Sequence, residues 1–481
     1  MATTAGIFFF HSPLPSDRPP DPSPEQRVNN HDPKTHIVLP HYRENWIMIG
    51  SDKKAKMSKW AMAEEKLTPN RITSYESFIG AIQAYNPSLE SKSFNVLLDV
   101  LPSIFPNPDE GLTQIHQIIS LAFHLKSLIR QPIPILKQGQ NQVVHLSQQQ
   151  VGSLLANAFL VLFPDRSGSK KMPSINFDLL YTETKASVIH RKKEKLKCIF
   201  NYFGRITASS SIGVLSFERR FLRDAAIPAW SRSQKPLREL TICAKGVIEK
   251  CRNSLQIDFA HKIVGGAILD NGLVQEEIRF VLNPELIVSR VFTEKLNDNE
   301  VLFMIGSEQF NKYTGYGDNF RWSGDYDDVT PKDEFGRRLT QIVAMDATYF
   351  GFRYRKQFLQ PALDRELKKA YVAFFDPKEA NRGLIATGNW GCGVYRGDRQ
   401  FKLLIQLIAA SEAERDLKFF TFHDQKLKKE FDDFHSKLLN REMNVGKLYR
   451  YLIAYGEYIE NLGSEKKISV FDYIEENFFS K

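Results

Sequence analysis

From Arg71 onward, apolar residues recur at helical spacing. Tyr75, Phe78, Ile79, Ile82 and Tyr85 follow an i, i+3, i+4, i+7 pattern that Pro87 ends. Ile115, Ile118, Ile119, Ala122 and Ile129 repeat it. Ser147, with Gln150 three residues on, predicts a capping box, and Val151, Leu154, Leu155, Ala158, Phe159 and Leu162 form the buried face behind it. Residues 71–208 therefore read as a mostly helical domain. After residue 209 short strand-like runs alternate with helical ones. Strands are predicted at Leu240–Ala244, Leu255–Phe259, Val301–Ile305, Gln341–Ala344, Leu384–Thr387 and Phe419–Phe422. Helices are predicted at Glu276–Phe292, Leu363–Phe374, Phe401–Ala413 and Val445–Leu462. Such alternation predicts an α/β domain over 209–481 with a mixed or parallel sheet.

The start of the chain has no such pattern. Eight of the 23 prolines fall in residues 1–40, which cannot fill a helix or a central strand. Ser51–Asn70 is polar and carries Lys53, Lys54, Lys56 and Lys59, which reads as a solvated linker or a nuclear address. Residues 1–70 are thus expected to be a disordered proline-rich tail and linker. The 481 residues suit two or three domains at roughly 100–200 residues each. The net charge of +9 suits a polyanionic partner, and His190–Lys197 (HRKKEKLK) is its densest basic run, an exposed face or a polyanion patch. Cys198, Cys243, Cys251 and Cys392 have no zinc or disulfide spacing, so reduced thiols in the nucleus or cytoplasm are expected. No apolar run reaches the roughly 18 residues of a membrane span.

Candidate chemistry lies in three glycine-bearing segments. In Gln256–Phe280 a strand ends near Asp258, Gly265, Gly266 and Gly272 follow, and Gln275, Glu276 and Glu277 open a helix. Glycines after a strand let backbone N–H groups approach phosphate oxygens. Adjacent helical residues point about 100° apart, so Glu276 and Glu277 cannot do the same job. A carboxylic acid to protonate a leaving oxygen is what glycoside hydrolysis needs, with its pKa raised by burial or a like-charged neighbour such as Asp258. An acidic first turn matched to the helix dipole is the plainer reading of the same pair. A second loop, Ala386–Asp398 (ATGNWGCGVYRGD), follows a strand and precedes a helix. The third segment, Tyr313–Trp322 (YTGYGDNFRW), sets aromatics around glycines, with Tyr316 placed to stack on a nucleotide.

GGAILDNGLVQEE (Gly265–Glu277) resembles the GGG-x(6–8)-QEE motif of the poly(ADP-ribose) glycohydrolases, and the other two segments resemble that family in the same order. So do QPIPILKQ (131–138), LSQQQVGSLLANAF (146–159), INFDLLY (175–181) and KLKCIFNYFGRIT (195–207). The resemblance covers roughly residues 71–460. It implies a macrodomain-like mixed sheet flanked by helices and preceded by a helical accessory domain. It implies that Glu277 is the acid/base that protonates the departing ribose oxygen and then activates water, that Glu276 holds ribose hydroxyls, and that Asp258 supports them. By the same resemblance Gln275 contacts substrate, Ile248 and Glu249 contact adenine, Tyr316 covers the ligand, Asn389, Trp390, Gly391, Cys392, Gly393 and Val394 hold the diphosphate, and Phe422 lies near ribose and adenine.

Three positions depart from the pattern: Ala267 replaces the third glycine, His261 a usual Asn, and Arg396 a glycine. A methyl at 267 would crowd a diphosphate or oppose a positive φ. The implied activity is exo- and endo-cleavage of ribose–ribose bonds in poly(ADP-ribose) on modified proteins, without metal or cofactor, in the DNA damage response. Ala267 and His261 motivate a rival, a non-catalytic ADP-ribose reader. The net charge of +9 and the HRKKEKLK run motivate a third reading, a nucleic-acid-binding protein, although no sequence-specific nucleic-acid binding is expected.

Overall fold

Along the strand Glu300–Gly306, Val301, Phe303 and Ile305 enter one apolar layer while Leu302 and Met304 enter another. That two-residue period places the strand inside a sheet covered on both faces. The computed structural model describes residues 31–49, 55–166, 168–208, 213–375, 383–462 and 468–479. Its strands are β1 (Trp46–Ile49), β2 (Ala55–Ser58), β3 (Gln142–Ser147), β4 (Val214–Phe221), β5 (Leu240–Cys243), β6 (Ser254–Asp258), β7 (Glu300–Gly306), β8 (Asn311–Thr314), β9 (Arg321–Asp325), β10 (Arg338–Ala344), β11 (Leu384–Gly388) and β12 (Leu417–Phe420). The pairs β1–β2 and β8–β9 stand apart, and the other eight form one sheet in the order β3-β4-β7-β10-β6-β11-β12-β5. β10, β6, β11, β12 and β5 run parallel to their neighbours. β3, β4 and β7 pair antiparallel, as does β7 with β10.

One face packs against the helices Asn95–Ile104, Pro108–Phe123, Gln148–Phe159 and Ala186–Ala208. The other packs against Gln360–Phe374, Arg399–Glu412, Gln425–Leu439 and Val445–Asn461. The capping box expected at Ser147 is present: its Oγ accepts the Gln150 N–H (3.1 Å) and Gln150 returns the bond to the Ser147 N–H (2.9 Å). Each of the six predicted strands has a counterpart, although the one expected at Phe419–Phe422 runs from Leu417 to Phe420 and leaves Thr421 and Phe422 outside it. Among the described residues no helix is long and apolar enough to cross a membrane.

Several expectations need correction. The proline-rich residues 1–30 lie outside the described residues, but the expected linker does not stay solvated. Ala55–Ser58 is a strand, Lys59–Lys66 is a helix, and Trp60, Ala63 and Leu67 enter the core. Lys59 is itself buried and donates to the Phe163 carbonyl (3.3 Å). The helical segment is not purely helical either, because β3 supplies the edge of the main sheet across the expected boundary at 208/209. The predicted helix Glu276–Phe292 stops at Leu282, since Pro284 has no N–H to continue it, and resumes as Pro284–Val288 and Ser289–Phe292. The basic run His190–Lys197 lies within the helix Ala186–Ala208 with Lys192, Glu194 and Lys195 buried, so it is not a uniformly exposed patch.

Candidate active site

The parallel strands β6, β11 and β12 end at a cleft of about 1060 Å³, whose lining includes Ile257, Gly388 and Phe420 from those strand ends. Ligands of open α/β sheets bind at that edge. The helix Gln275–Leu282 begins against the end of β6, and its first three side chains are all tied to backbone. The Gln275 Oε1 accepts the Phe259 N–H (2.8 Å) and its Nε2 donates to the Ile257 carbonyl (3.1 Å), which pins the helix start to β6. Glu276 accepts the His261 N–H (2.9 Å) and the Gly265 N–H (2.6 Å). Glu277 accepts the Ala267 N–H (2.9 Å) and, as the third helical residue, reaches back to the Val274 N–H (3.0 Å). The two carboxylates leave the helix in different directions yet flank one point. A side chain on Gly266 would put its first carbon 2.5 Å from Glu276 and 2.6 Å from Glu277. Gly266 also holds φ +48° and Gly265 φ +87°, which favour glycine.

Asp258 stands behind this pair. It is buried, and neither carboxyl oxygen has a hydrogen-bond partner within the protein. Burial first, then the Glu277 charge, pushes its carboxyl well above the usual range, while Arg279 opposes the shift. Burial, then Asp258 and Glu277, pushes Glu276 up in the same sense. The cluster therefore resists a full set of negative charges. An acid whose folded pKa is raised holds its proton where the unfolded chain has released it, so its contribution to stability falls as pH rises past the ordinary carboxyl range. Asp258→Asn, which keeps the shape without the charge, is expected to raise Tm at pH 8 by a few °C and to change it less at pH 4, with activity reduced. Thermal unfolding at the two pH values checks this; an equal or larger gain at pH 4 contradicts the assignment.

The floor beneath these acids is a set of buried cations. Arg290 donates to the carbonyls of Val264 and Gly266 (3.1 Å each) and of Ser174 (3.0 Å). Lys195 is fully buried and its Nζ donates to the carbonyls of Ala267 (3.0 Å), Ile268 (2.9 Å) and Asp270 (2.7 Å). Burial pulls its ammonium down to about 7, while Glu277 and Asp270 favour the charged form. Neither cation belongs to a glycine motif, and sequence reading missed both. The signal for Lys195 was its position three residues before Cys198 and four before Ile199, on the stripe that the helix buries.

Opposite, the loop after β11 is held from below. The Trp390 indole is fully buried, donates to the Met345 carbonyl (3.0 Å) and carries the Lys402 ammonium 3.6 Å from its ring centroid. Its side chain is thus anchored in the core, while the residue still lines the cleft with the rest of its loop. Gly391 takes φ +74°, and a side chain there would strike Ala347 (2.7 Å). Asn389, Gly391, Cys392, Gly393 and Val394 border the cleft, as do Ile248, Glu249, His261, Gly266, Gln275, Tyr316 and Phe422. Asp258 and Gly265 do not border it and act from behind. Tyr316 and Phe422 meet edge-on with ring centroids 4.8 Å apart. Phe422 is turned outward by a strained φ of +59°. Glu249 accepts the Tyr313 hydroxyl (2.6 Å) at the same end of the cleft.

Two of the departures prove compatible with the site. Ala267 is not among the residues with positive φ, and its N–H serves Glu277. The His261 Nδ1 accepts the Ile263 N–H (3.0 Å), the bond an Asn side chain would accept, and burial lowers its pKa so that the ring stays neutral. Arg396 is exposed and does not border the cleft. The residue under strict steric control is Gly272: a Cβ there would lie 2.5 Å from the Glu277 carboxylate and 2.8 Å from the Ala267 methyl. Gly272→Ala is expected to lower kcat at least tenfold by displacing Glu277, with a smaller change in ligand affinity; steady-state kinetics and a binding titration check this.

Fold and site together define a class: a macrodomain-type sheet with a phosphate-suited cleft at its parallel edge and a carboxylate cluster fit for acid–base cleavage of a glycosidic bond. Residues 227–429 match the family model described as poly(ADP-ribose) glycohydrolase (PARG), Macro domain fold, and residues 113–219 match the PARG helical domain. Poly(ADP-ribose) glycohydrolase 1 of Arabidopsis thaliana is 31% identical over 459 residues, covering 80% of this chain and 82% of that protein. The probable poly(ADP-ribose) glycohydrolase 2 of the same plant is 30% identical over 450 residues, covering 82% and 85%. Among solved structures, the poly(ADP-ribose) glycohydrolase of Thermomonospora curvata is similar at 12% identity and a TM-score of 0.29, over 43% of this chain and 80% of that one. The chain belongs to the poly(ADP-ribose) glycohydrolase family.

Proposed function

We propose that the protein hydrolyses the ribose–ribose O-glycosidic bonds of poly(ADP-ribose) and releases ADP-ribose, with Glu277 as general acid and base. The observation that carries this reading is the fixing of Glu277. Two backbone N–H groups hold its carboxylate at the cleft wall beside Glu276, with Asp258 buried behind. A glycosidic bond placed there receives a proton from Glu277 on the leaving ribose oxygen as positive charge develops on the other ribose. Glu277, now a carboxylate, takes a proton from the attacking water. Glu276, turned about 100° away on the helix, is placed for the ribose hydroxyls. The loop Asn389–Val394 offers backbone N–H groups to the diphosphate.

Ala267 and His261 motivated a reader without activity. Both instead keep their N–H bonds to the acids, Ala267 to Glu277 and His261 to Glu276, which favours the enzyme. The test is the length of purified poly(ADP-ribose) on a gel over time. Shortening is expected; intact polymer with ADP-ribose still bound would establish the reader. Reversal of poly-ADP-ribosylation in the DNA damage response, in nucleus or cytoplasm, is the setting we assign. Four free thiols support a reducing compartment.

A further inference from the structure

Beside Tyr395, just outside the lining of the cleft, stand side chains that the mechanism does not use. Tyr395 borders the cleft, and burial followed by the charges of Glu276, Asp346 and Glu277 pushes its hydroxyl up to about 12. Its ring meets Tyr349 edge-on, with centroids 5.8 Å apart, and its carbonyl accepts the Phe350 N–H (3.1 Å). The chain then turns outward. Gly351 holds φ +45°, and a side chain on it would strike the Tyr349 ring (2.7 Å). Phe352, next in line, is 99% exposed, and Tyr349 is 58% exposed. From the other segment Arg396, at φ +58°, brings its guanidinium 5.9 Å from the Phe352 ring centroid. Arg353 is exposed on the same turn. The neighbouring acid Asp398 accepts the Tyr354 hydroxyl (2.7 Å) and caps the helix at the Phe401 N–H (3.0 Å).

Folding alone does not account for this arrangement. A phenylalanine left wholly in water forgoes the free energy of its burial, and a left-handed backbone at a non-glycine residue is strained. Two separate segments accept such local costs and present an aromatic face beside cations. If the cleft cleaves poly(ADP-ribose), the leaving oxygen belongs to the adenosine ribose of the next unit. That unit's adenine and diphosphate must then emerge near the acids. A π face flanked by cations is what an extended nucleotide chain requires.

We infer that Phe352, Tyr349, Arg353 and Arg396 form a subsite for the second ADP-ribose unit of the polymer, with adenine stacked on Phe352 and phosphate met by the two arginines. This rests on the reading of the cleft as a poly(ADP-ribose) glycohydrolase site. The test uses the full chain carrying Glu277→Gln, titrated with monomeric ADP-ribose and with an ADP-ribose dimer. The same titrations are repeated after adding Phe352→Ser, Arg353→Ser and Arg396→Ser, with Tm measured to show that the fold is kept. The dimer is expected to bind about tenfold more tightly than the monomer, and the three substitutions to remove most of that advantage while leaving monomer affinity unchanged. A dimer advantage that is absent, or that survives the substitutions, overturns the subsite. Competition by single-stranded DNA as effective as that of the dimer overturns it in favour of a general nucleic-acid surface. Wild-type cleavage is read separately, so intact polymer alongside a substitution-sensitive dimer advantage overturns the glycohydrolase reading alone.

Discussion

Glu277→Gln is expected to lower kcat by a factor of about 10²–10⁴, with ADP-ribose affinity close to that of wild type. The amide keeps the size of the side chain and one oxygen for the Ala267 or Val274 N–H, while the other N–H loses its acceptor. It has no proton to give to a leaving oxygen and no basicity with which to activate water. Because the interaction lost belongs to the transition state, kcat and kcat/KM should fall together. Near-wild-type turnover would remove Glu277 from its role and make Glu276, the adjacent acid, the next residue to examine.

Lys195→Met carries the second large effect, from a residue outside every glycine motif. The carbonyls of Ala267, Ile268 and Asp270 would lose the ammonium that gathers them, and only that of Ala267 keeps another partner, the Asp270 N–H (2.9 Å). A buried acceptor left without a partner costs about 1–3 kcal/mol, so the expected loss is of that order or somewhat above, read as a clear fall in Tm. The same segment supplies the Ala267 N–H to Glu277, so the loss reaches the chemistry. At temperatures where the variant stays folded, kcat is expected to fall roughly tenfold or more. A lower Tm with unchanged kcat would make Lys195 a purely structural residue and separate the helix Ala186–Ala208 from the reaction.

What could be read from the chain follows from which residues carry local signals. Three helices of 71–208, those beginning at Tyr75, Pro108 and Gln148, were legible because their apolar stripes keep a 3.6-residue period and Ser147 forms a capping box, whereas Asn95–Ile104 and Ala186–Ala208 were not predicted. The six predicted strands are short apolar runs closed by turns, and Glu276 and Glu277 stood out by their place after a strand and glycines. β4 was not legible because its sequence, VLSFERRF, reads as polar while the structure buries the charges. Arg219 is fully buried against Glu300 and donates to the carbonyls of Leu136, Glu294 and Lys295, and Arg220 lies 3.9 Å over the Phe303 ring. Those partners are distant in sequence, so no local pattern reveals them. Lys195 and Arg290 escaped for the same reason: a buried cation bonded to remote carbonyls resembles, in sequence, a solvated one. Trp390 has a part that its glycine loop does not reveal: it lines the cleft, and its indole also packs on Lys402 beneath that loop.

The most direct test of the central claim is the identity of the product that the wild-type protein releases from purified poly(ADP-ribose), resolved by chromatography. Cleavage at the ribose–ribose bond beside Glu277 predicts free ADP-ribose. Products that carry a terminal phosphate monoester, which arise from cleavage of the diphosphate instead, would contradict the account.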